Sequence, residues 1–160
     1  MGRRPSNSNH RDRVNAAPRI ADFAGTAAAA IAIFALCLPR IAASLTSEAE
    51  AENAARAWLG MLDVGNYAQS WNTASARFRA SITQAEWVSR VSAVRGPLGA
   101  VRSRELSSAR VAHSLPGAPD GEYVVLEFST SYEHKTVATE TVTPMKDPDG
   151  KWHVSGYYIK

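Results

Sequence analysis

Hydrophobic periodicity divides the chain into an apolar run, a helical stretch and a stretch of alternating residues. From Phe23 to Leu38 it reads FAGTAAAAIAIFALCL, sixteen residues without a charge. Apolar positions then recur at helical spacing, with Ala51, Ala54, Ala55, Trp58 and Leu62 on one stripe and Trp87, Val88, Val91 and Val94 on another. Each stripe follows a capping box, Ser47–Glu50 and Thr83–Glu86, in which hydroxyl and carboxylate satisfy orphan backbone donors reciprocally. Gly65 suits a left-handed cap after Asp63-Val64, and Gly96-Pro97 stops the later helix. Between them a short helix is expected from about Tyr67 to Ala74, with Trp71 facing inward.

From residue 99 the period becomes two. Strands are expected over about 100–112, 122–134, 136–146 and 151–159, divided by turn chemistry such as Leu115-Pro116-Gly117 and Asp147-Pro148-Asp149-Gly150. The second is the clearest: Val124, Leu126, Phe128, Thr130 and Tyr132 point one way, and Glu127, Ser129, Ser131 and Glu133 the other. Three helices followed by a four-stranded meander predict an α+β fold, with helices on one face of a curved antiparallel sheet.

Charge changes the picture of the first 44 residues most. The chain has a formal net charge of +3, which invites a nucleic-acid reading. Residues 1–44, however, hold six arginines against Asp12 and Asp22, a balance of +4, while 45–160 hold the other 12 Lys/Arg against 13 Asp/Glu, a balance of −1. The basicity belongs to the leader, and the rest has no net positive charge with which to bind phosphates. Five arginines, an apolar run and then Pro39-Arg40 and small residues make the pattern of an export segment. The run is shorter than the roughly 20 residues that span a bilayer comfortably, so cleaved signal and retained signal-anchor both stay open. Either way the basic flank keeps the N-terminus in the cytoplasm and sends the rest across, to the periplasm or cell envelope. The expected parts are a basic tail over 1–22, the signal or anchor over 23–44 and one domain over 45–160. The single cysteine, Cys37, lies in the apolar run, which excludes disulfides and thiol chemistry from that domain.

A family resemblance rests on particular residues. Trp58, Gly65, Tyr67, Ser70-Trp71, Phe78, Trp87, Arg95-Gly96-Pro97-Leu98-Gly99 and Arg102-Ser103-Arg104 follow in order. Asp120-Gly121-Glu122-Tyr123, Glu140-Thr141-Val142, Asp149-Gly150-Lys151-Trp152 and Val154-Ser155-Gly156-Tyr157-Tyr158 complete the series. Over about 47–160 the chain resembles the bacterial domain of unknown function 4019. The resemblance implies an exported or membrane-attached protein with a cone-like fold similar to nuclear transport factor 2, and brings no activity with it.

Enzymes of that wider fold, such as ketosteroid isomerases, bury an Asp base or Asp–His pair in the cone. The helical stripes here carry neither, and Asp63 adjoins a helix end where solvation is the ordinary expectation. His113, His134 and His153 lack the short spacings of a zinc site, and neither a GxSxG elbow nor a glycine-rich phosphate loop occurs, so no cofactor is expected. Arg102, Arg104 and Arg110 share one parity on the first strand. Exposed, they make a solvated charge row; covered, Arg104 with Glu140 becomes a buried site. The binding candidates are therefore Arg102, Arg104 and Glu140, with the aromatic side chains Trp71, Trp87 and Tyr132. The leading expectation is a non-enzymatic module for a small ligand or a protein, exported or attached to the membrane through its leader. A membrane-anchored assembly protein and a small isomerase or lyase are the alternatives.

Overall fold

The computed structural model describes residues 46–160, where helix α1 covers 46–63. The leader, with its tail and its signal or anchor reading, lies outside the described residues. Residues 46 and 47 are already helical, so the Ser47–Glu50 box does not cap the start. Glu50 instead accepts a hydrogen bond from the Trp152 indole at 3.3 Å. At the other end Gly65 has φ 75°, its amide donates to Leu62 and the Asn66 amide to Met61. These two bonds satisfy the last carbonyls of α1 in the way left-handed glycine caps do.

Three helices were expected ahead of the sheet, and the described residues hold four. The stretch after α1 forms α2 (Tyr67–Thr73) and α3 (Ala76–Ser81). Ser75 separates them: its side chain caps α3 by accepting from the Phe78 amide at 3.1 Å, and its own amide donates to the Val154 carbonyl at 2.9 Å. α3 is too short to show a period, and Phe78 is its buried residue. In α4 (Gln84–Arg95) both halves of the Thr83–Glu86 box are formed. Trp87 and Val91 are buried as expected, but Val94 is 47% exposed and Arg95 takes the inward place, 5% exposed. A single 3₁₀ turn, Gly96–Leu98, leads to the sheet.

The strands are β1 (Val101–Ala112), β2 (Tyr123–Tyr132), β3 (Ala138–Lys146) and β4 (Trp152–Ile159). They pair antiparallel in the order β1-β2-β3-β4, which leaves β1 and β4 as edges. One face is packed by the helices: Trp58, Leu59 and Leu62 of α1 share a core with Val124, Leu126 and Phe128 of β2 and with Val142 and Val154. Full burial of each Leu or Val side chain contributes about 1.5–3 kcal/mol. These contacts, rather than helix propensity, hold α1 on the sheet.

β1 departs from simple alternation. Its register against β2 shifts between Val101 and Ser103 and again between Leu106 and Ser108. Each shift inserts an extra residue and reverses the parity beyond it. The three arginines therefore do not share a face. Arg104 sits opposite Thr130, on the helix side, whereas Arg102 falls in the first irregularity and Arg110 pairs with Val125 beyond the second. Both Arg102 and Arg110 are exposed.

Candidate functional site

Two features sit between helices and sheet, one closed and one open. The closed feature is a cluster of charged and hydroxyl side chains drawn from α1, α4 and all four strands. Glu140 of β3 is 0% exposed and accepts four hydrogen bonds. Arg95 Nη1 (2.9 Å) and the Tyr157 hydroxyl (2.6 Å) reach Oε1, and Arg104 Nε (2.6 Å) and Thr130 Oγ1 (2.7 Å) reach Oε2. Asp63, at the end of α1, receives Arg104 through both terminal nitrogens at 2.7 and 2.8 Å and also bonds Arg95 Nη2. Asp63 remains exposed, as expected of a helix end, and two guanidinium groups bind it as well.

Two arginines against two carboxylates leave the cluster neutral, as burial demands. Burial alone would raise the pKa of Glu140, but bonds from Arg104, Tyr157 and Thr130 outweigh it and hold the carboxyl below its usual range. Burial also opposes the charge on Arg104, and its bonds to Asp63 and Glu140 overcome that. Both tyrosines are pushed well up, first by burial and then by Glu140 nearby, so Tyr157 is held as a donor. Tyr132 lies under the Arg95 guanidinium, 5.5 Å from ring centroid to Cζ, close to Glu140. Its hydroxyl is buried, and no group among the described residues meets it at hydrogen-bonding geometry.

A general base needs a free lone pair and a pKa near the working pH. Glu140 has all its acceptor positions filled and is held acidic, so the cluster acts as a cross-brace joining the helix ends to the sheet. Arg95 adds to this as a cation at the C-terminal end of α4, where the helix dipole favours positive charge.

The open feature is a groove of about 490 Å³ between α3, α4 and β4. Phe78 and Trp87 form one wall in an edge-to-face contact, ring centroids 5.0 Å apart. Val91 and Val94 continue it along α4, while Glu86 and Arg90 stand at the rim. The other wall is Ser155, Gly156, Tyr157, Tyr158 and Ile159 of β4. Tyr157 connects the two features, since its ring packs on Trp58 at 5.4 Å while its hydroxyl enters the cluster.

The six sequence-derived candidates thus go to different places. Arg104, Glu140 and Tyr132 meet in the closed cluster. Arg102 stands outside it in an exposed pair with Glu133 at 3.2 Å. Trp87 lines the groove and donates to Ser70 Oγ at 3.0 Å, whereas Trp71 lies behind, donating to the carbonyl of the groove residue Ile82 at 2.9 Å. His153 bonds the Thr73 carbonyl and Asp149, and among the described residues no group of three His, Cys, Asp or Glu is placed to hold a metal.

Sequence reasoning missed Arg95, Tyr157 and Arg90. A signal for Arg95 existed: it follows Trp87 and Val91 at successive steps of four, a charge standing on an inward stripe. No curated protein matches the chain. Residues 54–157 match the family described as protein of unknown function, DUF4019, and the chain belongs to that family.

Proposed function

We propose that this chain is a non-enzymatic binding module that works outside the cytoplasm, attached or exported through its leader, and that its ligand occupies the groove between α4 and β4. The observation that carries this reading is the groove itself. It is a concave trough with aromatic and aliphatic side chains on its walls, polar and apolar surface in nearly equal measure and charge at its rim. Its aromatic wall rests on a rigid support, because Trp87 is fixed by Ser70 and Tyr157 by Glu140. The absence of an uncommitted acid or histidine from the charged cluster favours binding over isomerase chemistry, and the location rests on the arginine-flanked apolar run at Phe23–Leu38.

A thermal-shift screen of the full chain in mild detergent tests the reading. A ligand of the folded state at 100 times its Kd adds about 2.7 kcal/mol of stability. The shift should vanish in Val94→Trp, which fills the groove from an exposed position. Ligands that shift this variant as much as the parent would place the binding site elsewhere.

A further inference from the structure

Five consecutive residues of β4, of both parities, line the groove, so it opens along the edge of the strand rather than over one face. Which backbone groups reach that edge follows from the ladder. Thr139 and Lys160 exchange both amide bonds, at 2.9 and 3.1 Å. Hydrogen-bonded pairs alternate along antiparallel strands, so Thr141 with Tyr158 and Thr143 with Gly156 are bonded pairs as well. Tyr157 and Ile159, opposite Val142 and Glu140, therefore turn their amides and carbonyls away from β3, into the groove. Among the described residues nothing pairs with them. The edge is closed at one end, where the Ser75 amide already occupies the Val154 carbonyl.

The rim supplies the second observation. Glu86 is engaged with the backbone amide and hydroxyl of Thr83, at 3.0 and 2.7 Å, so its neighbour Arg90 acts on it through charge alone, with no direct hydrogen bond to any described residue. A free donor–acceptor row facing an aromatic and aliphatic wall, with a cation at the rim that makes no direct hydrogen bond to a described residue, describes a site for a short extended chain.

We propose that the groove takes an extended peptide segment of a partner protein, which adds as a fifth strand to β4 through Tyr157 and Ile159 and sets a carboxylate on Arg90. This rests on the groove being the binding site. Main-chain bonds to the edge give affinity, alternate apolar side chains enter between Trp87 and Val91, and the carboxylate fixes direction. The stretch open from Ser155 to Ile159 suits a segment of about five residues at the ordinary strand rise.

The test is fluorescence anisotropy of the full chain with labelled hexapeptides of alternating valine and threonine that end in glutamate. Each peptide is made unmodified and N-methylated on one or the other parity of its peptide nitrogens. A strand uses only one edge, so methylation of one parity should weaken binding at least about tenfold (about 1.4 kcal/mol) and methylation of the other should leave it unchanged. Exchanging the glutamate for glutamine should weaken binding several-fold in the parent but not in Arg90→Gln. Ile159→Pro removes an amide outside the β3 ladder, so it should keep the parental melting temperature and lose at least tenfold in peptide affinity. Equal affinity for both methylated forms would overturn the added strand while leaving the groove as a site. So would a groove-binding small molecule that no peptide displaces. Concentration-dependent dimers that Ile159→Pro dissolves would overturn the peptide in favour of a second copy of this chain. If neither peptide nor small molecule responds to Val94→Trp, the groove reading itself fails.

Discussion

Glu140→Gln is the sharpest test of the charged cluster. The substitution keeps the size of the side chain, removes one negative charge and turns one acceptor oxygen into an NH2 donor. That NH2 must face either Arg104 Nε with Thr130 Oγ1 or Arg95 Nη1 with Tyr157, donors all of them. Each hydrogen bond to a charged group is worth about 1.5–3 kcal/mol. Leaving a buried charge without its partner costs about 3–5 kcal/mol. Both routes give about 3–5 kcal/mol, which lowers the melting temperature by about 10–20 °C in a folded body of this size. Urea unfolding followed by tryptophan fluorescence measures it, since Trp58 and Trp87 are buried beside the cluster. The effect also has a pH signature. The folded-state pKa of Glu140 lies below its unfolded value, so around pH 4 the unfolded chain binds more protons and stability rises with pH. The contribution is fully present above the unfolded pKa of about 4.3 and fades as pH falls through the folded one. The gap between parent and variant should therefore close in acid. A loss under about 1 kcal/mol at pH 7, set against those 3–5 kcal/mol, would refute the cross-brace.

Other substitutions probe neighbouring claims. Arg102→Ala should change stability by less than about 1 kcal/mol in the same urea assay, because its pair with Glu133 is solvated. Arg104→Ala, by contrast, strips partners from both Asp63 and Glu140 and should cost about 3 kcal/mol or more. Tyr132→Phe removes a buried hydroxyl that meets no group among the described residues at hydrogen-bonding geometry, so calorimetry should show unchanged or raised stability, by up to about 2 kcal/mol. Gly99→Ala forces a side chain onto φ +75° with its Cβ 2.8 Å from Glu133 Cβ, and chemical unfolding should register a loss of about 1–2 kcal/mol or more.

Much of the architecture is legible in local chemistry. The Thr83–Glu86 box, the Gly65 cap, the inward row of β2 and the Asp147–Gly150 turn depend on residues within a few positions of one another. Backbone sterics and short-range hydrogen bonds determine them wherever the segment sits, so the sequence by itself determined the α+β order, the strand limits to within a few residues and which residues of β2 share a face, while which face is covered was left to the tertiary structure. The candidate site was legible only in pieces. Arg104 and Glu140 could be named as a pair that burial would activate, but alternation reads parity locally, and the shifts in β1 arise only when that strand is laid against β2. They turn Arg102 outward and leave Arg104 facing the helices. Likewise, the pairing of Asp63 with Arg95 joins residues 32 apart in the chain, and whether β4 has an open edge depends on where α3 and α4 come to rest. Tertiary structure decided these points because the free energy of a buried charge or an unpaired strand edge is set by what lies across from it in space, and no local pattern records that.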